Sequence, residues 1–232
     1  MQSIEIKRDE LDFRAQEAFK TLRTNIEFSG EETQVIGITS ATPGEGKSSV
    51  SYELALSFAD AGRKVLLIDA DLRKSVMQAR HKRGKIRYGL TNCLAYKKEL
   101  VDIICATNVE NFYMTFAGPV PPNPSELLGG KNFTTLIKDA KQVFDIVIID
   151  TPPLGSVIDA AVISKVCDGM VVVMSAGQIS YRYARKMLEQ LKVANARILG
   201  VVLNKVDMSQ NSYYGRYYGK YYGKYYGKET KR

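Results

Sequence analysis

A loop suited to binding phosphate lies in the first quarter of the chain. Residues 41–48 read Ala-Thr-Pro-Gly-Glu-Gly-Lys-Ser, which is the P-loop pattern GxxxxGK[ST] with alanine in place of its first glycine. In such a loop backbone N–H groups cradle phosphate oxygens, glycines permit close backbone approach, and Lys47 places a cation on the phosphates. The residues that we expect to bind the nucleotide are Thr42, Pro43, Gly44, Glu45, Gly46, Lys47, Ser48 and Ser49.

Acidic residues follow two apolar runs that have the character of buried strands. Asp69 and Asp71 come after the run Val-Leu-Leu-Ile, and Asp150 comes after the run Ile-Val-Ile-Ile. Ligands of open parallel sheets sit beyond the carboxyl ends of the strands, so these three carboxylates should converge on the nucleotide. One carboxylate at a Mg²⁺ site is enough for hydrolysis, and the extra ones indicate further chemistry. The alternative is that Asp69 and Asp71 only cap a turn.

Transfer of a phosphoryl group to tyrosine would employ the extra carboxylates. A tyrosine hydroxyl, with a pKa near ~10, is mostly protonated at neutral pH and must lose its proton as it attacks. An aspartate within hydrogen-bond reach can accept that proton while another aspartate holds the metal. Ser48 can offer its hydroxyl to Mg²⁺. We therefore expect ATP and Mg²⁺ as the cofactors.

Short apolar runs rich in Val and Ile alternate with longer amphipathic stretches between residues 34 and 204. This alternation is typical of βα units around a mainly parallel sheet, here a three-layer α/β sandwich of the P-loop NTPase type. The predicted strands are Gln34–Thr39, Val65–Ile68, Phe112–Phe116, Ile146–Ile149, Met170–Met174 and Ile198–Leu203. The predicted helices are Leu11–Glu27, Lys47–Ala61, Pro124–Gln142 with a weak point at Gly129-Gly130, and Tyr181–Val193.

The character of the chain changes after Asp207. Residues 213–228 read YYGRYYGKYYGKYYGK and hold eight of the chain's fourteen tyrosines. A four-residue unit with a glycine in every repeat cannot build a core, so we predict a flexible tail. We divide the chain into an N-terminal helical segment at 1–30, a P-loop ATPase or kinase domain at 31–210 and a tyrosine-rich tail at 211–232.

Composition limits the classes of protein that this chain can belong to. It has 232 residues, 45% of them hydrophobic and 25% charged, as expected of one globular domain. There is no apolar run of the ~18 to 20 residues that cross a bilayer and no secretion signal, so we expect a cytoplasmic protein. Three cysteines lie far apart, which argues against disulfides and zinc. The net charge is +8, and six cations and one glutamate in 212–232 account for +5 of it.

Three stretches together resemble the bacterial tyrosine kinases of capsular and exopolysaccharide synthesis. They are ATPGEGKS, LLIDADLR and VIIDTPP, followed by the tyrosine cluster. The similarity to the Gram-positive cytoplasmic subunit of that family covers almost the whole chain, including Pro121–Leu128. The resemblance implies Lys47 and Ser48 at the phosphates and Mg²⁺, Asp71 and Asp150 at the metal, Asp69 as the base and Arg73 as a further catalytic residue.

The same resemblance implies partners for the chain. Members of the family carry an N-terminal ExxRxxR element used in ring-like homo-oligomers, and the nearest match here is Glu17, Lys20 and Arg23, with lysine in place of the first arginine. A membrane-spanning activator, whose cytoplasmic segment completes the ATP site, is implied, and it would recruit the chain to the inner face of the membrane. A tyrosine phosphatase is implied as well. The expected acceptors are Tyr213, Tyr214, Tyr217, Tyr218, Tyr221, Tyr222, Tyr225 and Tyr226.

Other interpretations of the sequence remain open. Residues 204–207 spell NKxD, which reads guanine in many GTPases, yet Asp150 is followed by Thr-Pro-Pro without the glycine of DxxG. Asn204 is equally compatible with a contact to adenine. A partitioning-type ATPase is a second alternative, although Thr42 stands where those proteins have an extra lysine. The tail could also be a nucleic-acid platform or a passive solubility segment, but we expect no nucleic-acid partner.

Overall fold

Ten strands and nine helices form the part of the protein that the structure, a computed structural model, describes: residues 1–30, 32–83, 85–96 and 98–207, with 80–83 described by backbone alone. The strands are β1 (Gln2–Ser3), β2 (Glu5–Ile6), β3 (Val35–Ser40), β4 (Val65–Asp69), β5 (Lys82–Arg83), β6 (Cys105–Ala106), β7 (Phe112–Thr115), β8 (Ile146–Asp150), β9 (Gly169–Ser175) and β10 (Ile198–Asn204). The helices are α1 (Phe13–Phe28), α2 (Lys47–Asp60), α3 (Met77–His81), α4 (Leu90–Tyr96), α5 (Leu100–Ile103), α6 (Pro124–Gly129), α7 (Lys131–Val143), α8 (Asp159–Ile163) and α9 (Tyr181–Val193).

The longer elements match the sequence-based predictions. All six predicted strands and the four predicted helical regions are confirmed. The predicted helix at 124–142 is two helices, because Gly130 is extended (φ −80°, ψ 164°) and separates α6 from α7. The shorter elements were not predicted, since strands of two residues and helices of four to seven residues are too short for hydrophobic periodicity to appear. No helix of the described ranges combines the length and the apolar composition that crossing a membrane requires.

Eight of the strands form one sheet in the order β1-β6-β7-β4-β8-β3-β9-β10. Neighbouring strands run parallel, except that β6 and β7 are antiparallel. Strands β2 and β5 pair separately as an antiparallel ribbon. The predicted mainly parallel sheet is confirmed. Because β4, β8 and β3 are adjacent and parallel, their carboxyl ends lie side by side at one edge of the sheet.

The sheet is covered by helices on both faces, as its apolar strands predict. Along β4, Leu67 packs with the cluster under α1 and α2, whereas its neighbour Leu66 packs with the cluster under α4 to α8. A third cluster joins α9, through Met187 and Leu191, to β9. The confirmed architecture is therefore a three-layer α/β sandwich in which α2 follows β3 directly through the P-loop.

A half-buried carboxyl lies where α2 meets the segment that precedes α1. Glu53 of α2 is close to Arg8, Asp9 and Asp60, and Arg8 Nη2 bonds Asp60 Oδ2 at 2.6 Å. Burial, and then the negative charge of Asp9, raise the pKa of Glu53 from about 4.5 to about 7; Asp60 adds to this shift and Arg8 opposes it. The ionised form of Glu53 is therefore disfavoured in the folded protein.

The pKa of Glu53 predicts how the stability of the protein depends on pH. The folded state holds the Glu53 proton up to about pH 7, but the unfolded state releases it near 4.5, so this group's contribution to stability is lost as the pH rises between these values. We expect Glu53→Gln to match the wild type near pH 4 and to unfold at higher urea concentration above pH 7. The exposed Glu110→Gln is the control. A pH-independent difference between Glu53→Gln and the wild type would contradict the prediction.

Candidate active site

The P-loop runs from the end of β3 into the first turn of α2, as predicted. Gly44 and Gly46 adopt positive φ angles of 85° and 90°, a region that side chains with a Cβ rarely occupy. A Cβ on Gly44 would meet no atom within 4 Å, but a Cβ on Gly46 would lie 2.2 Å from Asn204 Nδ2. The loop is therefore open at Gly44, where a ligand can approach the backbone, and closely packed at Gly46.

The carboxyl ends of β9 and β10 support the P-loop. The buried carboxylate of Glu45 accepts hydrogen bonds from the N–H groups of Thr42 (2.7 Å) and Ser175 (3.1 Å). Asn204 Nδ2 donates to the Glu45 carbonyl at 2.8 Å and Lys205 Nζ donates to the Gly44 carbonyl at 2.6 Å. The Glu45 side chain thus binds protein groups, so any phosphate contact of this predicted ligand comes from its backbone. No motif in the sequence indicates that the Ser175 N–H binds the Glu45 carboxylate.

The packing of Gly46 leads to a prediction about nucleotide binding. Gly46→Ala combines a strained φ with a clash against Asn204 Nδ2, whereas Gly62→Ala has a similar φ of 81° and open space around the added methyl group. We expect Gly62→Ala to cost about 1–2 kcal/mol of stability and to leave nucleotide affinity intact. Gly46→Ala should lower stability further and abolish binding of a fluorescent ATP analogue. Equal nucleotide affinities of the two variants would refute this account.

The structure brings the predicted Asp69 and Asp150 together at the ends of β4 and β8, and the convergence of all three aspartates on a nucleotide stays a prediction. Asp69 and Asp150 are register partners in these adjacent strands, and both are buried. Lys47 Nζ lies 3.0 Å from Asp150 Oδ1 and 3.3 Å from Ser48 Oγ. Ser51 Oγ donates to the same Asp150 oxygen at 2.9 Å, a contact that was not predicted. The P-loop lysine is therefore paired with a carboxylate.

The loop after β4 is held by its own carboxylates. Asp69 accepts hydrogen bonds from Ser75 Oγ and from the Asp71 N–H (3.3 Å), and Asp71 accepts one from the Lys74 N–H at 3.0 Å. Both aspartates therefore cap the loop, as the alternative interpretation expected. Asp69 has a second property: burial, and then the negative charge of Asp150, raise its pKa to about 7. A carboxyl with such a pKa can exchange a proton near neutral pH, so capping does not exclude a chemical role.

The remaining predicted site residues are Arg73, three residues of α1 and the tyrosines of the tail. Arg73 Nε donates a hydrogen bond to Asp159 Oδ2 at 2.7 Å, so its guanidinium is paired with a carboxylate. In α1, Lys20 pairs with Glu17 (2.7 Å) and Arg23 Nη1 donates to the Ser57 carbonyl (2.5 Å). A contact of these α1 residues with a second copy stays a prediction. The predicted tail at 211–232 and its eight acceptor tyrosines lie outside the described residues.

The residues at this edge fit a nucleotide with Mg²⁺. The open approach at Gly44, the first turn of α2 and the cation of Lys47 suit phosphate oxygens. In the described part of the chain no three His, Cys, Asp or Glu residues are grouped so that they could hold a metal ion by themselves. Mg²⁺ commonly takes one or two carboxylates together with the oxygens of a bound nucleotide. Ser48, Asp71 and Asp150 are the side chains that would hold it.

Comparison with known proteins decides the family. Residues 33–199 match a family model described as an AAA domain. Tyrosine-protein kinase CpsD of Streptococcus agalactiae is 48% identical over 200 residues, which cover 86% of this chain and 87% of that protein. The chain belongs to the CpsD-type family of bacterial tyrosine kinases.

Two solved structures agree with this assignment. The chimerical protein CapA2B2 has a TM-score of 0.79 and 32% identity, with 89% of this chain and 94% of that chain covered. The kinase domain of Escherichia coli tyrosine kinase ETK has a TM-score of 0.78 and 36% identity, with 83% and 76% covered.

Membership of the CpsD-type family favours a kinase over the GTPase and the partitioning ATPase that the sequence left open. The chain is a protein-tyrosine kinase on an ATP-binding P-loop fold. The relatives are named as tyrosine kinases rather than as GTPases or partitioning ATPases. In this kinase the Asn204 and Lys205 side chains of the NKxD stretch bind P-loop carbonyls. The NKxD pattern therefore has a structural use here that needs no guanine.

Proposed function

We propose that this kinase is an autokinase that transfers the γ-phosphoryl group of ATP to the tyrosine cluster of its own C-terminal tail. The observation that carries the proposal is the pair of buried carboxylates at the tips of β4 and β8. Asp150 contacts the P-loop lysine at 3.0 Å, whereas Asp69 has a pKa raised to about 7 by burial and by Asp150. Two carboxylates in different electrostatic environments suit two roles, metal ligand and proton acceptor.

These contacts and the family resemblance support the following roles for the side chains. Bound ATP with Mg²⁺ supplies the phosphoryl group and the counter-charge for its transfer. Lys47 would place its ammonium group on the phosphates, and Ser48, Asp71 and Asp150 would hold the metal. Asp69 accepts the phenolic proton of the incoming tyrosine at its carboxylate, which offsets the weak nucleophilicity of a neutral phenol.

The chain's own tail is a suitable acceptor because of its composition and its attachment. Eight tyrosines within residues 213–228 follow β10, whose end contacts the P-loop. Each phosphate adds about −1.5 to −2 charges at neutral pH, so eight of them change a tail of about +5 to about −7 or below. A tethered acceptor has a high effective concentration at the active site of a neighbouring subunit. We propose phosphorylation in trans within a ring-like homo-oligomer through Glu17, Lys20 and Arg23, which loosens as the tails acquire like charge.

The partners in this proposal come from the family. A membrane-spanning activator of the polysaccharide co-polymerase type would complete the ATP site with its cytoplasmic segment and hold the kinase at the inner face of the membrane. A tyrosine phosphatase would reset the tail. The cycle of phosphorylation would regulate the synthesis and export of a capsular or extracellular polysaccharide. The names of the relatives support the kinase activity in this proposal, since CpsD is named a tyrosine-protein kinase and CapB a putative one.

Phosphotyrosine mapping tests the proposal. The full chain is incubated with ATP and Mg²⁺, with and without the activator's cytoplasmic segment. We expect label mainly in the tail, no label after truncation at Ser212, and unchanged label in a control in which the exposed Tyr96 and Tyr181 are replaced by phenylalanine. Mixing full-length Lys47→Met with an active chain that lacks the tail should label the Lys47→Met chain in trans. ATP turnover with bare tail tyrosines in the presence of the activator would exclude the proposal.

A further inference from the structure

Three side chains from separate parts of the sequence form a closed hydrogen-bonded cluster beside the candidate active site. The Arg73 guanidinium binds Asp159 with two groups, Nε to Oδ2 at 2.7 Å and Nη2 to Oδ1 at 3.1 Å. Arg73 Nη2 also donates to Ser125 Oγ at 3.0 Å, and Ser125 Oγ donates to Asp159 Oδ1. Each member of the cluster therefore contacts the other two.

The cluster differs from an ordinary surface ion pair. The Asp159 side chain is 0% exposed, and a carboxylate is buried at high cost unless it is paired and hydrogen-bonded. Burial alone would raise the pKa of Asp159, but the hydrogen bonds from Arg73 and Ser125 hold it below its usual value. By contrast, the Arg185–Glu189 pair on α9 has side chains that are 69% and 57% exposed. Asp159 thus depends on Arg73 and Ser125 to stay charged inside the protein.

The position of Arg73 links this cluster to the catalytic loop. Arg73 lies between Asp71 and Ser75 in the chain, and Ser75 Oγ donates to Asp69. Ser125 belongs to the first turn of α6 and Asp159 is the first residue of α8. The cluster therefore attaches the loop after β4 to two helices that pack on the sheet. The Arg73 guanidinium is therefore anchored two residues after Asp71 and two residues before Ser75, which donates to Asp69.

We propose that Asp159 and Ser125 are positioning residues for the kinase reaction: they fix the Arg73 guanidinium and, through it, the loop that carries Asp71 and Ser75, whose hydroxyl donates to Asp69 at the end of β4. The inference rests on the proposed function in that it takes Asp69 and Asp71 as the residues of phosphoryl transfer. Asp159 and Ser125 act through Arg73 and the loop backbone. Small displacements of reacting groups are enough to lower a rate by up to about 100-fold.

The test compares variants of the full chain in the presence of the activator segment. The variants are Asp159→Asn, Ser125→Ala and Arg73→Lys, and the matched control is Arg185→Lys, which changes an exposed arginine that also binds a carboxylate. The kcat for tail phosphorylation is expressed per nucleotide-binding site, and ATP affinity is measured with a fluorescent analogue. We expect Asp159→Asn to lower kcat by about 10- to 100-fold with unchanged ATP affinity. Ser125→Ala should act in the same direction by less, and Arg185→Lys should equal the wild type.

A double variant separates positioning from a general loss of stability. Residues that act as one unit have non-additive effects, so Arg73→Lys/Asp159→Asn should be no slower than the slower single variant. Wild-type kcat per binding site in all folded variants would overturn the inference, as would effects of Arg73→Lys and Asp159→Asn that multiply in the double variant. If Asp159→Asn does not fold, Ser125→Ala and Arg73→Lys decide the question, because both keep Asp159 next to one partner.

Failure of this inference is distinguishable from failure of the proposed function. Asp69→Asn is measured in parallel. If Asp69→Asn is inactive while Asp159→Asn and Ser125→Ala retain wild-type kcat, the positioning role falls and the proposed chemistry stands. If Asp69→Asn retains full activity, Asp69 is not the general base. The positioning role of Asp159 and Ser125 is then disproved as well, because it assumes that Asp69 is the base.

Discussion

Replacement of Lys47 by methionine is expected to abolish tyrosine phosphorylation, with a loss of about 10²- to 10³-fold or more in kcat. The ammonium group of Lys47 is the cation at the P-loop, and a methionine fills the space without the charge. The change has a second effect on the folded protein, because Asp150 loses the ion pair at 3.0 Å. An uncompensated buried carboxylate is destabilising, so the melting temperature of Lys47→Met should fall. Labelled ATP and phosphotyrosine detection measure activity, and calorimetry measures stability.

A double variant separates the two effects of Lys47→Met. Lys47→Met/Asp150→Asn lacks both charges of this buried ion pair, so its melting temperature should recover while its activity stays absent. The exposed Lys138→Met on α7 is the control for loss of a lysine. Incorporation of label by Lys47→Met at the wild-type rate would contradict the assigned chemistry. Recovery of activity in the double variant would show that stability alone had been lost.

Replacement of Asp69 by asparagine is expected to lower phosphoryl transfer by about 10²- to 10⁴-fold, the usual contribution of a general base. The amide has the size of the carboxyl and can bond both Ser75 and the Asp71 N–H, but it cannot accept the phenolic proton. Burial and Asp150 disfavour the charge of Asp69 and raise its pKa to about 7. Loss of that charge should therefore leave the melting temperature of Asp69→Asn equal to or above that of the wild type.

The controls for Asp69→Asn address binding and nonspecific effects. ATP affinity, measured with a fluorescent analogue, should be retained, because the P-loop contacts are unchanged. Asp139→Asn, an exposed change on α7, should behave as the wild type. A catalytic defect without loss of nucleotide binding or stability would support a role in proton transfer. Wild-type labelling by Asp69→Asn would rule out Asp69 as the base.

Contiguous motifs explain why so much of the site could be predicted. The residues of the P-loop are neighbours in the chain, so their pattern is visible before any fold is known. Asp69 and Asp150 could be brought together because each follows an apolar strand and parallel strands align their carboxyl ends. That one topological rule placed residues from two distant segments at the same edge, where the structure makes them register partners.

Contacts between side chains of separate segments could not be predicted. Arg73 and Asp159 are 86 positions apart, and Ser125 and Asp159 are 34 apart. Nothing in hydrophobic periodicity indicates which polar residues of two loops will meet. The same holds for the contact of Ser51 with Asp150. Such pairs depend on helix packing at the ångström level, whereas strands and the longer helices depend on patterns that extend over many residues.

The end of β10 sets a geometric limit on the acceptor tyrosines. Lys205, which contacts the P-loop carbonyl of Gly44, is a fixed anchor from which the remaining chain extends. Even at full contour length, Tyr213 can lie no more than about 26–29 Å from this anchor and Tyr226 no more than about 69–76 Å. For the proposed transfer between subunits, the distal tyrosines therefore have the longer reach from this anchor.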